Sequence, residues 1–391
     1  MTLFDKSFLY IYFGDYMKKL VAFILFIVVI LFFISEDISN KKDNEERSIF
    51  ISYIELSKYI SDDISLSKKN IDTMINNIEE LGFNSVILQV RSFGDSIYPS
   101  KIYSNSLYIS DSFDVLDYFS DICNSKGFSL YAWINPYRIR NDLNKESIDK
   151  DNIIYNLLDT RHIVYTSGIY FNPSSELVIS LIVEGIEEII NNYKITGVLF
   201  DDYFYPSTDC DLEEYNVLNL DISYDEYKLG RVNELIKRVY DVCHNNGVLF
   251  GVSPDGNIDN NYSKHSADVR TWLSNSGYID FIMPQIYYGF FNGSRPFYKT
   301  LKEWSSLITN DSISMSVALA FYKNGLVDEW ASSGKNEWIE NDNIIMKEII
   351  ISRNINNYRG ISLFRYDYLF SKDKINQNTI GEIENLKKII K

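Results

Sequence analysis

Residues 197–206 read GVLFDDYFYP, and their order sets how the rest of the chain is read. Gly197, Val198, Leu199 and Phe200 form a continuous apolar run, the pattern of a short strand covered on both faces in a parallel sheet. The run ends in two adjacent carboxyl groups, Asp201 and Asp202, and Tyr203, Phe204, Tyr205 and Pro206 continue it as an aromatic turn. Adjacent acids at a strand end repel one another. Repulsion and partial burial favour the protonated form of one of them, which is what a carboxyl general acid needs near neutral pH. A helix cap or a structural ion pair is the competing reading.

Working outward, short apolar runs bounded by turn residues recur at about 50–54, 84–90, 128–134, 196–201, 248–253, 279–285, 313–318 and 359–364. Stretches with apolar residues three and four apart lie between them, at 67–80, 113–126, 175–193, 226–245, 297–308, 341–353 and 376–390. Gly82, Gly127, Gly247 and Gly277 each precede a strand, where the end of a helix calls for a left-handed residue. Strand and helix thus alternate through eight units. The pattern predicts an α/β fold, a single (β/α)8 TIM barrel over 49–391 whose active site lies at the carboxyl ends of the strands. A doubly wound open sheet is the alternative, but no GxGxxG turn supports it.

The barrel reading picks out the polar and aromatic residues at strand mouths. Strand two runs into Gln89, Arg91, Asp95 and Tyr98, and strand three into Trp133, Asn135, Pro136, Tyr137 and Arg138. Strand five ends with Ser253, Pro254 and Asp255, strand six with Pro284, Gln285, Tyr287 and Tyr288, and strand eight with Arg365 and Asp367. Asp280, at the start of strand six, reads as structural. Aromatic residues are mostly core, yet Trp133, Tyr137, Tyr203, Tyr205, Tyr287 and Tyr288 all fall at mouths. Sugar rings stack their C–H faces on aromatics and give hydroxyls to Asn, Gln, Arg and Asp, so the mouth suits a carbohydrate. Arg91 and Arg138 read either as sugar contacts or as ion partners of the acids.

The net charge of −16 excludes a nucleic-acid partner, which needs a basic face. Cys123, Cys210 and Cys243 are too few and scattered for a disulfide framework. His162, His244 and His265 have no ligand spacing, so neither a metal nor another cofactor is implied. Residues 20–34, LVAFILFIVVILFFI, follow Lys18 and Lys19 and read as a membrane anchor or export signal. No small-x-small cleavage site follows, which favours an uncleaved anchor, with secretion after cleavage the alternative. The lysines keep residues 1–19 cytoplasmic and place the barrel outside the cell membrane. Met17 is a plausible natural start, and residues 35–48 are polar enough to be a tether.

Five segments in order, LQVRSFGDSIYPSKIY (88–103), YAWINPYRI (131–139), GVLFDDYFYP (197–206), FGVSPDG (250–256) and IDFIMPQIYYG (279–289), resemble the family 10 glycosyl-hydrolase-like proteins. These are TIM-barrel enzymes of bacterial envelopes that include a hydrolase of peptide-free peptidoglycan strands. The resemblance spans roughly 50–370 and implies a glycosidase. It places Arg91, Asn135, Arg138, Asp201, Asp202, Tyr203, Gln285 and Tyr287 along a sugar cleft. Two positions depart from the family pattern, Tyr288 in place of Trp and Asp255 in place of Phe. If the sugar carries a 2-acetamido group, as both peptidoglycan sugars do, its carbonyl can act as nucleophile. Asp201 then orients the acetamide and Asp202 is the acid/base, with their order left open. An ordinary double displacement on an α-glucan or exopolysaccharide, with Asp201 as nucleophile and Asp255 as second carboxylate, is one alternative. An inactive carbohydrate-binding protein is the other.

Overall fold

The computed structural model describes residues 44–207 and 209–390. The anchor at 20–34, the stretch 1–19 before it and most of the tether lie outside these residues. Among the described residues no helix is long and apolar enough to cross a membrane.

Eight parallel strands close into a barrel: β1 Glu46–Ile51, β2 Ser85–Arg91, β3 Ser129–Ile134, β4 Gly197–Phe200, β5 Leu249–Val252, β6 Phe281–Ile282, β7 Ser314–Leu319 and β8 Tyr358–Leu363. Each neighbours the next in sequence, and β8 pairs with β1 through Glu46–Gly360 to Ile49–Leu363. Helices α1 Ile64–Glu80, α2 Val115–Lys126, α3 Glu176–Asn192, α4 Tyr224–Asn245, α5 Val269–Ser274, α6 Phe297–Leu307, α7 Ile344–Ser352 and α8 Gln377–Ile390 follow them in turn. The alternation read from the sequence is therefore the architecture. One boundary moves: β1 begins at Glu46, so the last residues assigned to the tether belong to the barrel.

The helix ends obey local chemistry. Asp63 caps α1 by accepting from Leu66 N at 3.0 Å, and Ser175 caps α3. Ser223 and Glu226 form a reciprocal capping box on α4. Gly82, Gly127, Gly247 and Gly277 take φ of 90°, 69°, 68° and 88°, the left-handed turn that lets each helix feed the next strand.

Apolar residues divide between two cores. The larger packs the helices on the outer face of the strands. The smaller fills the barrel with Phe50, Ile87, Tyr131, Trp133, Leu199, Phe281, Met283 and Ala318. At the amino end of the barrel, Tyr131 Oη donates to Glu46 at 2.8 Å and Arg359 bonds both. Asp280 accepts from Phe250 N at 2.8 Å, a structural role as its position predicts. With that end closed by packing and ion pairs, access to the barrel is from the carboxyl ends of the strands.

Candidate active site

Beyond Phe200 the aromatic turn folds back on the barrel. Phe204 is buried against Phe200 and Trp272, with ring centroids 6.4 and 5.9 Å away, while Tyr203 is left 52% exposed. This reversal holds Asp201 and Asp202 at the mouth.

Asp201 is 5% exposed and accepts three hydrogen bonds. Trp133 Nε1 donates to Oδ2 at 2.9 Å, Asn135 Nδ2 donates to the same oxygen, and Tyr203 N donates to Oδ1 at 3.3 Å. Gln89 Nε2 and an Arg138 guanidinium nitrogen both donate to Asn135 Oδ1, at 2.8 and 2.9 Å. Two donors on that oxygen fix the amide orientation and turn its NH2 group toward Asp201. Asp202 is more open to solvent. Gln285 Nε2 donates to Asp202 Oδ1 at 3.1 Å and to Ser253 O at 2.9 Å.

Burial first, and then the charge of Asp202, push Asp201 up to about 7, against the pull of Arg138, Trp133 and Tyr203 N. Burial also raises Asp202, opposed by His265 and Gln285. The two titrate as a pair and hold a proton into the neutral range. The rise is the larger at Asp201, yet its three donors favour its charged form, and Asp202, more open and held by one side-chain donor, is the member free to exchange a proton with a bound group.

The pair opens into a cavity of about 370 Å³ that also includes Trp133, Tyr203, Ser253, Gln285 and Tyr287. Phe50, Tyr322, Phe364, Arg365 and Tyr368 complete it. Of these five, Arg365 alone stands out in the sequence as a polar strand end. Phe50 and Phe364 sit 5.5 Å apart, and Tyr287 packs 6.0 Å from Tyr322 and 5.8 Å from Phe364. A wall of rings around two carboxyl groups can hold a sugar by its C–H faces and deliver a proton to a glycosidic oxygen. Among the described residues no group of three or more His, Cys, Asp or Glu is placed to hold a metal ion.

Six residues expected in the cleft lie elsewhere. Arg91 is fully buried outside the barrel, its guanidinium 3.6 Å from the centroid of the Tyr103 ring and facing Gly185 of α3. Strand alternation would point it inward with Ile87 and Gln89, but a register shift between Gln89 and Arg91 turns it out. Tyr137 and Tyr205 are also buried in the outer core, and Tyr205 Oη donates to Asp211 at 2.8 Å. Asp255 accepts from Asn257 N at 2.7 Å and Asn260 Nδ2 at 2.8 Å, so its carboxylate is committed to the turn at Asn257–Asn260. Tyr288 packs beside Gly256, away from the mouth cavity. Asp95 lies in a second cavity behind Phe93 and Gly94, where burial raises its carboxyl above the usual range.

The profile of the glycosyl hydrolase-like 10 family matches residues 45–333. Glycosyl hydrolase YngK of Bacillus subtilis is 26% identical over a 415-residue alignment covering 94% of this chain and 76% of YngK. Glycosyl hydrolase DigH of Escherichia coli K12 is 27% identical over 334 residues, 75% of this chain and 74% of DigH. Among solved structures, the PgaB (BpsB) glycoside hydrolase domain of Bordetella bronchiseptica superposes with a TM-score of 0.60 at 12% identity, covering 88% of this chain and 99% of that domain. At that identity the last likeness speaks for the fold alone.

Proposed function

Because the chain belongs to the glycosyl hydrolase-like 10 family and is a glycosidase by that membership, we propose that it cleaves an envelope polysaccharide of N-acetylated amino sugars, peptidoglycan glycan strands above all, with Asp201 and Asp202 as the catalytic pair. The observation that carries this reading is the asymmetry of the pair. Asp201 is held by three donors from Trp133, Asn135 and Tyr203, and Asp202 is the more open and less constrained.

In this reading the acetamide carbonyl oxygen of the bound sugar attacks C1 as the glycosidic bond breaks. Asp202 gives its proton to the departing oxygen, and the Asp201 carboxylate accepts the acetamide N–H and steadies the positive charge that develops on the ring so formed. Asp202 then takes a proton from water as the water oxygen attacks C1, which reopens the ring and restores the acetamide. Double displacement needs a second carboxyl about 5–5.5 Å from the first across the scissile bond. Asp255, the sequence's choice for that part, is already spent on Asn257 and Asn260.

The test is reducing-end release from peptide-free glycan strands. Asp202→Asn should lose at least ~10²-fold in turnover, the scale of a lost general acid/base, and a thiazoline mimic of the cyclised intermediate should inhibit the wild type competitively. A folded Asp202→Asn with full activity sinks the site. Indifference to the thiazoline together with a covalent sugar adduct on Asp201 sinks the acetamide mechanism.

The membrane anchor at 20–34, with the barrel outside the cell, is part of the same proposal. Its support is the apolar run and the two lysines before it.

A further inference from the structure

A second cavity, larger than the one that holds the aspartates, lies beside it. It measures about 730 Å³ and is built from the loops that follow β2 and β3, so it opens on the same face of the barrel as the mouth. A continuous run of rings and one guanidinium connects the two. The Arg138 guanidinium lies 5.5 Å from the centroid of the Tyr203 ring on one side and 4.7 Å from that of Phe93 on the other. Phe93, Tyr53 and Tyr108 then pack in a triangle with centroids 5.3, 5.3 and 5.4 Å apart. Tyr108 keeps 37% of its surface exposed, at the edge of the larger cavity. Arg138 is itself fixed at both ends of its head, to Ser92 O and to Asn135 Oδ1, each at 2.9 Å. The track is therefore tied through Asn135 to Asp201.

From this we infer that the larger cavity is a distal subsite that grips a further sugar of the strand being cut, with Tyr108 as its stacking platform. The inference rests on the glycan reading of the mouth and deepens it. The lining favours a particular kind of sugar. Asp111, Asp149 and Asp151 outnumber Lys101 and Arg140, and Arg140 is already engaged by Asp142 through two bonds of 2.8 and 2.9 Å. An acid-rich wall repels carboxylates. The subsite thus takes a neutral N-acetylhexosamine and disfavours a sugar bearing a carboxylate or an acidic peptide. An enzyme that grips its substrate at two places along one strand prefers long chains to short ones.

The experiment measures binding of short and long N-acetylglucosamine oligomers to the full chain carrying Asp202→Asn, which keeps the ligand intact during titration. Adding Tyr108→Ala should weaken the long oligomer about tenfold, the scale of one lost aromatic anchor, and leave the short one unchanged. Asn156→Trp, which adds bulk at another residue lining the cavity and leaves the ring triangle's own side chains unchanged, should do the same. The inference is overturned if the long oligomer binds no better than the short one before either change, or if both changes leave the long oligomer's affinity intact. Because the readout is binding, it stands apart from the assignment of Asp202: a wrong catalytic residue changes turnover and leaves the length dependence in place.

Discussion

Replacing Trp133 with Phe isolates what the Asp201 environment does. The change removes one donor, the indole N–H that meets Asp201 Oδ2 at 2.9 Å, and keeps an aromatic ring against Phe50, whose centroid lies 5.4 Å away. A hydrogen bond to a buried charged group is worth ~1.5–3 kcal/mol, and 1.36 kcal/mol corresponds to one pKa unit. Asn135 and Tyr203 N still hold the carboxylate, so the low end applies and the carboxyl should rise by ~1 unit. Asp201 already stands at about 7. In the proposed mechanism it is ionised to accept the acetamide N–H, so the acid limb of kcat/KM against pH should move toward alkali by ~1 unit, a tenfold loss well below the limb and little loss above it. The assay is reducing-end release across the pH range, with the thermal midpoint of the variant as a folding control. An acid limb that stays where it was, or a loss by the same factor at every pH, refutes the reasoning and leaves Trp133 as a wall of the cavity.

Two further outcomes are expected away from the site chemistry. Glu348 is fully buried with neither oxygen hydrogen-bonded among the described residues, and burial raises its carboxyl well above the usual range. Burial also pushes neighbouring Glu382, which accepts from Ile345 N and Met346 N, up to about 8. Acids whose folded pKa is raised contribute stability that is fully present below the ordinary value of 4.5 and is lost as pH rises through the folded value. The thermal midpoint should therefore fall between about pH 5 and 9, and Glu348→Gln should fall less steeply; equal slopes would show that Glu348 does not titrate there. As to the anchor at 20–34, the native protein should pellet with membranes and be digested by protease added to intact protoplasts. A soluble form starting just past that run, or protection from the protease, would contradict anchor and orientation respectively.

The extent to which the sequence discloses this molecule follows from the range of the forces involved. Strand and helix order was legible because it is local: apolar runs, caps such as Asp63 and Ser175, and the left-handed glycines each depend on a few neighbours in the chain. The Asp201–Asp202 pair was legible for the same reason, since a buried strand and its first polar residues are contiguous. The rest of the cavity depends on register between strands far apart in sequence. Placing the first strand at about 50–54 put Phe50 at its beginning, whereas β1 ends at Ile51 and carries Phe50 to the mouth.

Tyr322, Phe364 and Tyr368 enter the cavity from the short segments after β7 and β8, whose apolar sequence looks the same whether a ring faces the mouth or the outer core. The error at Arg91 is of the same kind and shows the cause most directly. Strand alternation assigns Arg91 to the cleft unless one extra residue intervenes, and one shift in the β2–β3 pairing sends it to Tyr103. The family resemblance names a QVR segment as cleft-lining. Of that segment it is Gln89 that reaches the Asp201–Asp202 pair, through Asn135. Arg91 works on the opposite side of the same strand, packed between the barrel wall and α3. The segment is thus bifunctional: one residue orients the site, and the next but one fills the interface that keeps its strand in place.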